Sequence, residues 1–125
     1  MAKKKKSSPS ELLLDAIIEG MQNNKAQDIT ILDLRELDSA VCEFFVVCSG
    51  ESSTQVDGIA NSVQRNTRKE LKEKPWRTEG KSNSEWILLD YVNVVVHVFY
   101  RERREFYNLE DLWADAKMIE IPELS

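Results

Sequence analysis

A run of five consecutive apolar residues, Phe44-Phe45-Val46-Val47-Cys48, constrains the fold of this chain more than any other segment. A strand with one face in solvent alternates apolar and polar residues, so a run that is apolar at every position predicts a central strand covered on both faces. The β-branched segment from Ile29 to Leu34 predicts a second strand. The fold must therefore place further elements on both sides of a sheet.

Two capping patterns predict where helices begin. The segment Ser8-Pro9-Ser10-Glu11 provides a capping hydroxyl, a proline at the first helical position and an acid that completes a capping box, and an apolar stripe follows it to about Gln22. Ser52 and Gln55 form a second capping pattern after the apolar run. The helix that they open has an apolar face and a basic remainder, and Pro75 ends it.

The second half of the chain predicts three strands and a last helix. The strands are Trp76 to Glu79, Trp86 to Asp90 and Val94 to Tyr100, and the last two are spaced as an antiparallel hairpin. The helix is predicted from about Arg104 to Lys117, with a buried stripe of Leu109, Leu112, Trp113 and Ala116. This order of elements indicates an α/β (α+β) fold in which helices pack on a mixed five-stranded sheet.

The chain is predicted to form one domain, because 125 residues suffice for a single packed core. We expect a disordered basic tail over 1–8, the folded domain over 9–117 and a flexible tail over 118–125. The apolar stretch from Leu12 to Ile18 is interrupted by Asp15, so it is too short for a membrane helix and unlike a secretory signal. The expected location is the cytoplasm, with no membrane partner.

Charge is distributed unevenly along the chain. Outside Lys3 to Lys6 the chain holds 13 basic and 22 acidic residues, a net charge of −9. An acidic body repels phosphate and attracts basic surfaces, so we expect a basic protein partner rather than direct, sequence-specific contact with nucleic acid. The basic residues of the second helix leave a nucleic-acid-binding module as an alternative.

The residues that could carry catalysis are few. Cys42 and Cys48 are not expected to form a disulfide, because six residues of strand span about 20 Å. They indicate free thiols in a reducing compartment. Neither these cysteines nor the single histidine, His97, have the paired spacing of a metal site, so no metal, cofactor or catalytic residue is predicted.

Nucleotidyl transfer is the enzymatic function that remains as an alternative. This reaction needs carboxylates that hold magnesium ions, projecting from same-face positions of one strand. Asp33 and Asp90 each lack a second carboxylate two positions later. Glu36 and Asp38 have that spacing but follow the strand, so such an enzyme would need an atypical metal site built from Asp33, Glu36 and Asp38. We therefore expect that the chain is not an enzyme.

Aromatic residues beside the predicted hairpin indicate protein binding. Trp86 begins a strand, Tyr91 lies beside the following turn, and Asp90 places a negative charge between them. Aromatic anchors with a nearby carboxylate are typical of a binding hot spot for a basic partner. The alternative is that Trp86 packs beneath the last helix.

Several segments of the chain form an ordered set that is specific as a whole. They are Ile29 to Leu37, Phe44 to Gly50 with Ser52 and Ser53, Gln55-Val56, Glu79-Gly80, Trp86 to Tyr91, Val94 to Phe99, and Phe106 to Trp113. This set, from about Glu11 to Lys117, resembles the Iojap family of ribosomal silencing factors. Two departures are present: Val92-Asn93 stands where the family usually has Gly-Asp, and Cys42-Glu43 stands where an aspartate commonly precedes the aromatic residue.

The resemblance implies both a fold and a function. The fold would be similar to that of the nucleotidyltransferase superfamily, without its active site. The function would be binding to the large ribosomal subunit at its fourteenth protein, on the face that meets the small subunit. A factor on that face sterically blocks subunit association and represses translation when nutrients are short. Members of the family also occur as homodimers.

Carried over position by position, the resemblance implies a group of contact residues on the sheet. Trp86, Leu88 and Asp90 are expected to alternate onto one face of their strand, while Val95 and His97 share a face of the partner strand. The predicted contact group consists of Trp86, Asp90, Tyr91, Val95 and His97, with Leu88 and Glu79 beside them.

Overall fold

The computed structural model describes residues 8–38, 40–80 and 84–123, which form one sheet with helices on both faces. The predicted basic tail, apart from Ser8, lies outside the described residues. The helices are α1 (Pro9–Asn23), α2 (Ser53–Leu71), α3 (Arg101–Tyr107) and α4 (Leu109–Leu112). The strands are β1 (Gln27–Asp33), β2 (Phe44–Gly50), β3 (Arg77–Glu79), β4 (Trp86–Asp90), β5 (Val94–Tyr100) and β6 (Lys117–Glu120).

The apolar run forms the centre of a mixed sheet, as predicted. The strand order is β3-β4-β5-β2-β1-β6, with β2 parallel to β5 and the other neighbours antiparallel. All seven residues of β2 are buried, because helices α1 and α2 cover one face and the C-terminal segment covers the other. The mixed sheet and the β4–β5 hairpin are therefore confirmed.

The sheet has six strands among the described residues, so the prediction of five is wrong. The sixth, β6, lies in the segment predicted to be a flexible tail, and it pairs with the outer edge of β1, where Ile119 lies opposite Ile31. Without β6 the backbone groups along that edge of β1 would lack partners. The likeness to the nucleotidyltransferase superfamily stays a prediction.

The last predicted helix is also different in the structure. The chain enters α3 directly from β5 and leaves it at Asn108, whose φ of 47° is left-handed and ends the helix. A single turn, α4, follows. Leu109 and Ala116 are buried as predicted, but Leu112, the last residue of this turn, is 75% exposed. A single helix from Arg104 to Lys117 is therefore wrong.

The first helix begins as its capping pattern predicts. The Glu11 N–H donates to Ser8 Oγ and the Ser8 N–H donates to Glu11 Oε1, both at 3.1 Å. Helix α1 crosses α2 at Gly20, where a Cβ atom would lie 2.7 Å from the Cα of Val63, so only glycine fits. The two helices together seal one face of the sheet.

The second helix begins at Ser52 and ends earlier than Pro75. The Gln55 N–H donates to Ser52 Oγ at 3.1 Å, and the Gln55 side chain accepts from the Glu51 N–H rather than from that of Ser52, so the capping box is only half formed. Lys72, with φ of 59°, closes the C-terminus after Leu71. No helix in the described part of the chain is both long and apolar enough to span a bilayer.

One arginine helps to anchor the C-terminal segment over the other sheet face. The guanidinium of Arg104 in α3 donates to the Asp28 carbonyl at 2.7 Å and to Ser49 Oγ at 2.9 Å, and it pairs with Glu110 in α4. Helix α3 itself buries none of its residues. This cover is therefore partial, and it leaves the β4 side of the face half exposed.

Candidate functional site

Five of the predicted contact residues share one face of the β4–β5 hairpin. Leu88 lies opposite His97 and Asp90 lies opposite Val95, and directly paired residues of antiparallel strands project to the same side. Trp86, two residues before Leu88, joins them. Trp86, Leu88 and Asp90 are partly exposed, whereas Val95 and His97 are buried at 8% and 3% exposure. The predicted alternation is confirmed, but only the β4 residues are open to solvent.

Trp86 is the aromatic centre of this face. Its Nε1–H donates to His97 Nδ1 at 3.0 Å, and its ring lies 4.9 Å from the ring of Phe99 and 4.5 Å from that of Tyr107 in α3. The alternative that Trp86 packs beneath the last helix therefore holds in part. The ring is held in place on one side and remains half-buried.

His97 is more deeply buried than Trp86, and its ring is neutral. Because Nδ1 accepts from Trp86, the neutral ring carries its proton on Nε2. That atom has no hydrogen-bond partner in the part of the chain that the structure describes. Burial lowers the pKa of His97 to about 3, and the ring makes an edge contact with Phe45 at 4.8 Å. His97 therefore supports the face without contributing charge.

Asp90 supplies the negative charge of the face, and an arginine neutralises part of it. Asp90 Oδ1 accepts from the Val92 N–H at 2.8 Å, and Oδ2 lies 3.6 Å from Arg77 of edge strand β3. Arg77 also pairs with Glu79 at 3.3 Å. Because Glu79 lies opposite Leu88 in the sheet, it projects to the same face and extends the acidic side of the group.

Tyr91 does not join the other contact residues. It is 7% exposed, its hydroxyl lies 2.9 Å from Thr67 Oγ1 of α2, and burial raises its pKa to about 12. The alternation that turns Asp90 toward one sheet face turns Tyr91 toward the other, beneath α2. The structure therefore does not bring Tyr91 together with the other predicted contact residues.

Trp76 is an exposed aromatic residue that the sequence prediction missed. It is 74% exposed, and its N–H donates to the Asp90 carbonyl at 2.7 Å, which places it beside the contact group. Val92 in the hairpin turn is 57% exposed near the same carboxylate. A signal was present in the sequence, because Trp76 stands between Pro75 and the polar segment Arg77-Thr78-Glu79, with no apolar neighbour to bury it.

The site contains an aromatic and acidic surface, which we call the β4 surface. It consists of Trp76, Glu79, Trp86, Leu88, Asp90 and Val92, supported from beneath by Val95 and His97. Its chemistry is that of protein recognition: anchored rings, an apolar side chain and two carboxylates at a sheet edge.

The alternative metal site does not assemble from its three carboxylates. Asp33 accepts three bonds from Arg35, one from the backbone N–H at 3.1 Å and two from the guanidinium at 3.0 and 2.8 Å. These bonds hold the pKa of Asp33 below its usual value. Glu36 and Asp38 are exposed in the following loop, and the described residues include no group of three or more side chains placed to hold a metal ion.

The two cysteines are free thiols. Burial raises the pKa of Cys42 to about 11 and that of Cys48 to about 12. Both thiols therefore stay protonated at neutral pH, and a protonated thiol is a poor nucleophile and a poor metal ligand.

A groove of about 890 Å³ lies at the carboxyl ends of β2 and β5. Its walls carry seven carboxylates against Arg101 and Arg104, and the guanidinium of Arg104 is fully engaged with the Asp28 carbonyl, Ser49 and Glu110. The groove therefore adds to the negative charge of the folded domain, and Arg104 has a structural role in its wall.

Comparison with known proteins identifies the family. The family model described as "Ribosomal silencing factor during starvation" matches residues 5–125. A ribosomal silencing factor from Halalkalibacterium halodurans is 35% identical over 112 residues, which cover 87% of this chain and 92% of that protein.

Two further relatives extend the comparison. The X-ray crystal structure of a Chromobacterium violaceum protein has 36% sequence identity and a TM-score of 0.77, and the match covers 83% of this chain and 85% of that chain. A Mus musculus protein named "Mitochondrial assembly of ribosomal large subunit protein 1" is 26% identical over 102 residues, 80% of this chain and 44% of the mouse protein. On the family model and the bacterial relative, this chain belongs to the ribosomal silencing factor family.

Proposed function

We propose that this chain silences translation by binding the large ribosomal subunit at its fourteenth protein and sterically blocking association with the small subunit. The family membership supports silencing of the ribosome. The name of the mouse relative, which refers to assembly of the large subunit, favours that subunit as the partner. The chain acts in the cytoplasm as a binding protein rather than as an enzyme.

The β4 surface is the proposed docking surface, and its half-buried Trp86 is the observation that carries the proposal. The indole is fixed by its bond to His97 and by its contacts with Phe99 and Tyr107, so little conformational freedom is lost when a partner covers it. Trp76 adds a second, exposed ring, and its backbone N–H donates to the Asp90 carbonyl. Preorganised aromatic residues of this kind dominate the binding energy of protein interfaces.

Charge supports a basic protein as the partner. The body outside the lysine tail has a net charge of −9, and Asp90 and Glu79 place carboxylates within the proposed interface. Complementary charge accelerates encounter and sets the orientation of docking.

The mechanism is occupation of a surface. No bond is made or broken, and the small subunit joins only when the factor has dissociated, so the block depends on the concentration of the factor relative to its dissociation constant. A homodimer, which we also propose for this chain, would compete with the ribosome if it covered the same rings.

Cosedimentation with isolated large subunits tests the docking surface. We expect Trp86→Ala and Trp76→Ala each to weaken binding by about 2 kcal/mol, roughly 30-fold, because truncation removes an anchor from the interface. Leu12→Ala is the matched control, since Leu12 is 46% exposed on α1, away from this surface. Circular dichroism establishes that each variant is folded. Undiminished cosedimentation of both folded tryptophan variants would reject the β4 surface.

A second experiment tests whether the fourteenth protein of the large ribosomal subunit is the direct partner. We expect the purified protein to bind the chain directly and to compete with large subunits for it. Subunit reassociation on a sucrose gradient then measures the block, and the wild-type chain should reduce the amount of joined ribosomes more than the Trp86→Ala variant does.

A further inference from the structure

The outer face of α2 and the residue that caps its C-terminus carry four cations. Arg65, Arg68 and Lys69 are spaced i, i+3 and i+4, which places them on one side of the helix, and Lys72 follows as the C-cap. All four are exposed. We call this row the α2 cationic stripe. Its one ion pair among the described residues joins Lys69 to Glu70 at 3.9 Å, and both side chains are largely in solvent.

The stripe differs from every other arginine site in the protein. All seven arginines lie in the described residues. The five outside the stripe are paired with carboxylates, whereas Arg65 and Arg68 have no carboxylate partner among the described residues. Two such arginines on one helix face, in a chain with 22 acidic residues, leave positive charge that a partner could neutralise.

Helix stability does not explain the stripe. A cation in the last turn of a helix interacts favourably with the helix dipole, which accounts for Arg68 and Lys69. Arg65 lies before that turn. Like charges three and four residues apart repel each other, so Arg65 with Lys69 and Arg68 with Lys72 weaken the helix. The row is therefore better explained by an external anion than by folding.

A polar depression lies along the stripe. It has a volume of about 230 Å³ between α1 and α2, and it is lined by Arg65 and Lys69 together with Asn23, Asn24, Ser62 and Asn66. Two cations at the rim of a polar depression are suited to a phosphate group, which accepts charge-assisted hydrogen bonds.

The C-terminal end of the stripe leads to the β4 surface. Thr67 in the last turns of α2 contacts the Tyr91 hydroxyl at 2.9 Å, behind the β4 end of the sheet. The segment from Lys72 then runs to Trp76, whose N–H donates to the Asp90 carbonyl. If a ribosomal protein binds the β4 surface, the parts of the subunit next to that protein lie close to this end of the stripe.

We propose that the α2 cationic stripe binds the phosphate backbone of RNA in the large ribosomal subunit, beside the protein that docks on the β4 surface. The location rests on the proposed function, and the anion-binding chemistry rests on the stripe itself. Each cation that neutralises a phosphate releases condensed counterions, so binding falls as salt rises. The acidic body confines this attraction to one side of the molecule and orients it on the subunit.

The salt dependence of binding to large subunits tests the stripe. Log affinity falls as log salt concentration rises, so the slope is negative. We expect Arg65→Gln combined with Arg68→Gln to make this slope shallower by about 2, about 1 for each cation removed. Arg101→Gln combined with Arg103→Gln is the matched control. It removes the same charge from two exposed or half-exposed arginines that are already paired with Glu51 and Glu85, and it should leave the slope unchanged.

Protein-free ribosomal RNA separates the two contacts. Wild type and Trp86→Ala should bind this RNA equally, and the Arg65, Arg68 double variant should bind it at least tenfold more weakly at low salt. A double variant with the wild-type slope on subunits, or wild-type affinity for the RNA, overturns the stripe proposal and leaves the β4 surface intact. If Trp86→Ala and Trp76→Ala both bind subunits normally while the arginine double variant has a shallower salt dependence, the β4 surface is rejected and the stripe remains.

Discussion

The two faces of the sheet are covered in different ways. Helices α1 and α2 seal one face, and Ile17 and Ile59 beneath them are fully buried. Helices α3 and α4 cover the other face only in part, so that Phe106 and Leu112 on the cover are 71% and 75% exposed. The aromatic and acidic groups proposed for docking lie on this second face, around Trp86.

Among the residues that the structure describes, buried polar groups are hydrogen-bonded on both faces, as Ser49 is to Arg104 on the open face, with one exception. On the sealed face, the Tyr91 hydroxyl contacts Thr67, Ser62 Oγ donates to the Gly20 carbonyl at 2.7 Å, and Asn66 Nδ2 donates to the Ala16 carbonyl at 2.8 Å. On the other face, His97 Nε2 has no partner within the described residues. An unpaired buried donor is destabilising, so the first face provides stability and the second retains a group that a purely structural core would not need.

The largest effect should come from truncating the sealed face. Ile59→Ala should lower the free energy of unfolding by about 3 kcal/mol, because it leaves a cavity where Ile59 is fully buried between α2 and the sheet. Leu112→Ala on the open face should change it by less than about 0.5 kcal/mol. Urea denaturation of the two variants measures both values, and similar losses would show that the faces do not differ in this way.

The next effect is a pH dependence that originates on the open face. The folded state holds His97 neutral because burial lowers its pKa from 6.5 to about 3. As pH falls below 6.5, the unfolded chain takes up a proton that the folded chain does not, so stability is lost as the solution becomes more acidic. At pH 5 the loss should be about 2 kcal/mol relative to pH 7.5.

His97→Leu provides the control for this pH dependence. His97 is the only histidine in the chain, so the variant should show a nearly flat stability between pH 6.5 and pH 5. Chemical denaturation at a series of pH values measures the slope for both proteins. A wild-type chain that is equally stable across this range would contradict the burial of a neutral imidazole.

A smaller loss of stability is expected from Tyr91→Phe. Tyr91 lies on the sealed face and the preceding residue, Asp90, lies on the open face, so substitutions at the two positions test the faces separately. The substitution removes the hydroxyl that contacts Thr67, and it should cost about 1 kcal/mol of stability, because Thr67 Oγ1 keeps its bond to the Glu73 carbonyl at 3.1 Å. Affinity for large subunits should not change. Asp90→Asn, one residue earlier, should weaken that affinity, and loss of binding in Tyr91→Phe at full stability would return Tyr91 to the contact group.

The parts of the fold that local chemistry determines were predictable. The apolar run at Phe44 to Cys48 and the capping box at Ser8 each depend on neighbouring residues, and both appear as predicted. Strand β6 was not predictable, because Lys117 to Glu120 has little strand character of its own and is ordered by the open edge of β1. A contact thirty or more residues away leaves no local pattern.

The site was predictable to the level of the sheet face. Alternation correctly placed Trp86, Leu88 and Asp90 together, since a strand fixes the direction of each side chain. Tyr91 stands just beyond β4 and continues the same alternation to the opposite face. The exposure of Trp76 depends on how the segment after α2 crosses the end of β4, which only the tertiary structure reveals.

The smallest predicted effect is a gain in stability at the hairpin turn. Val92 has a φ of 77°, and the Asn93 N–H donates to the Tyr91 carbonyl at 3.0 Å, which is the strained form of a three-residue turn. A β-branched residue is unfavourable at positive φ, whereas glycine adopts this conformation without strain. Val92→Gly should therefore stabilise the protein by about 0.5 to 1 kcal/mol, after the greater flexibility of glycine in the unfolded chain is subtracted.

Val92→Ala is the matched control for this gain, because alanine keeps a Cβ atom and relieves only the crowding of the branch. Thermal unfolding should rank Val92→Gly above Val92→Ala and both above wild type, with a rise in Tm of about 2 to 5 °C for the glycine variant. Because Val92 is 57% exposed, little buried contact is lost to offset the relief. A glycine variant less stable than wild type would mean that packing of the valine side chain stabilises the protein by more than the backbone strain at Val92 destabilises it. The hairpin turn would then be stabilised by side-chain packing, as the sealed face is.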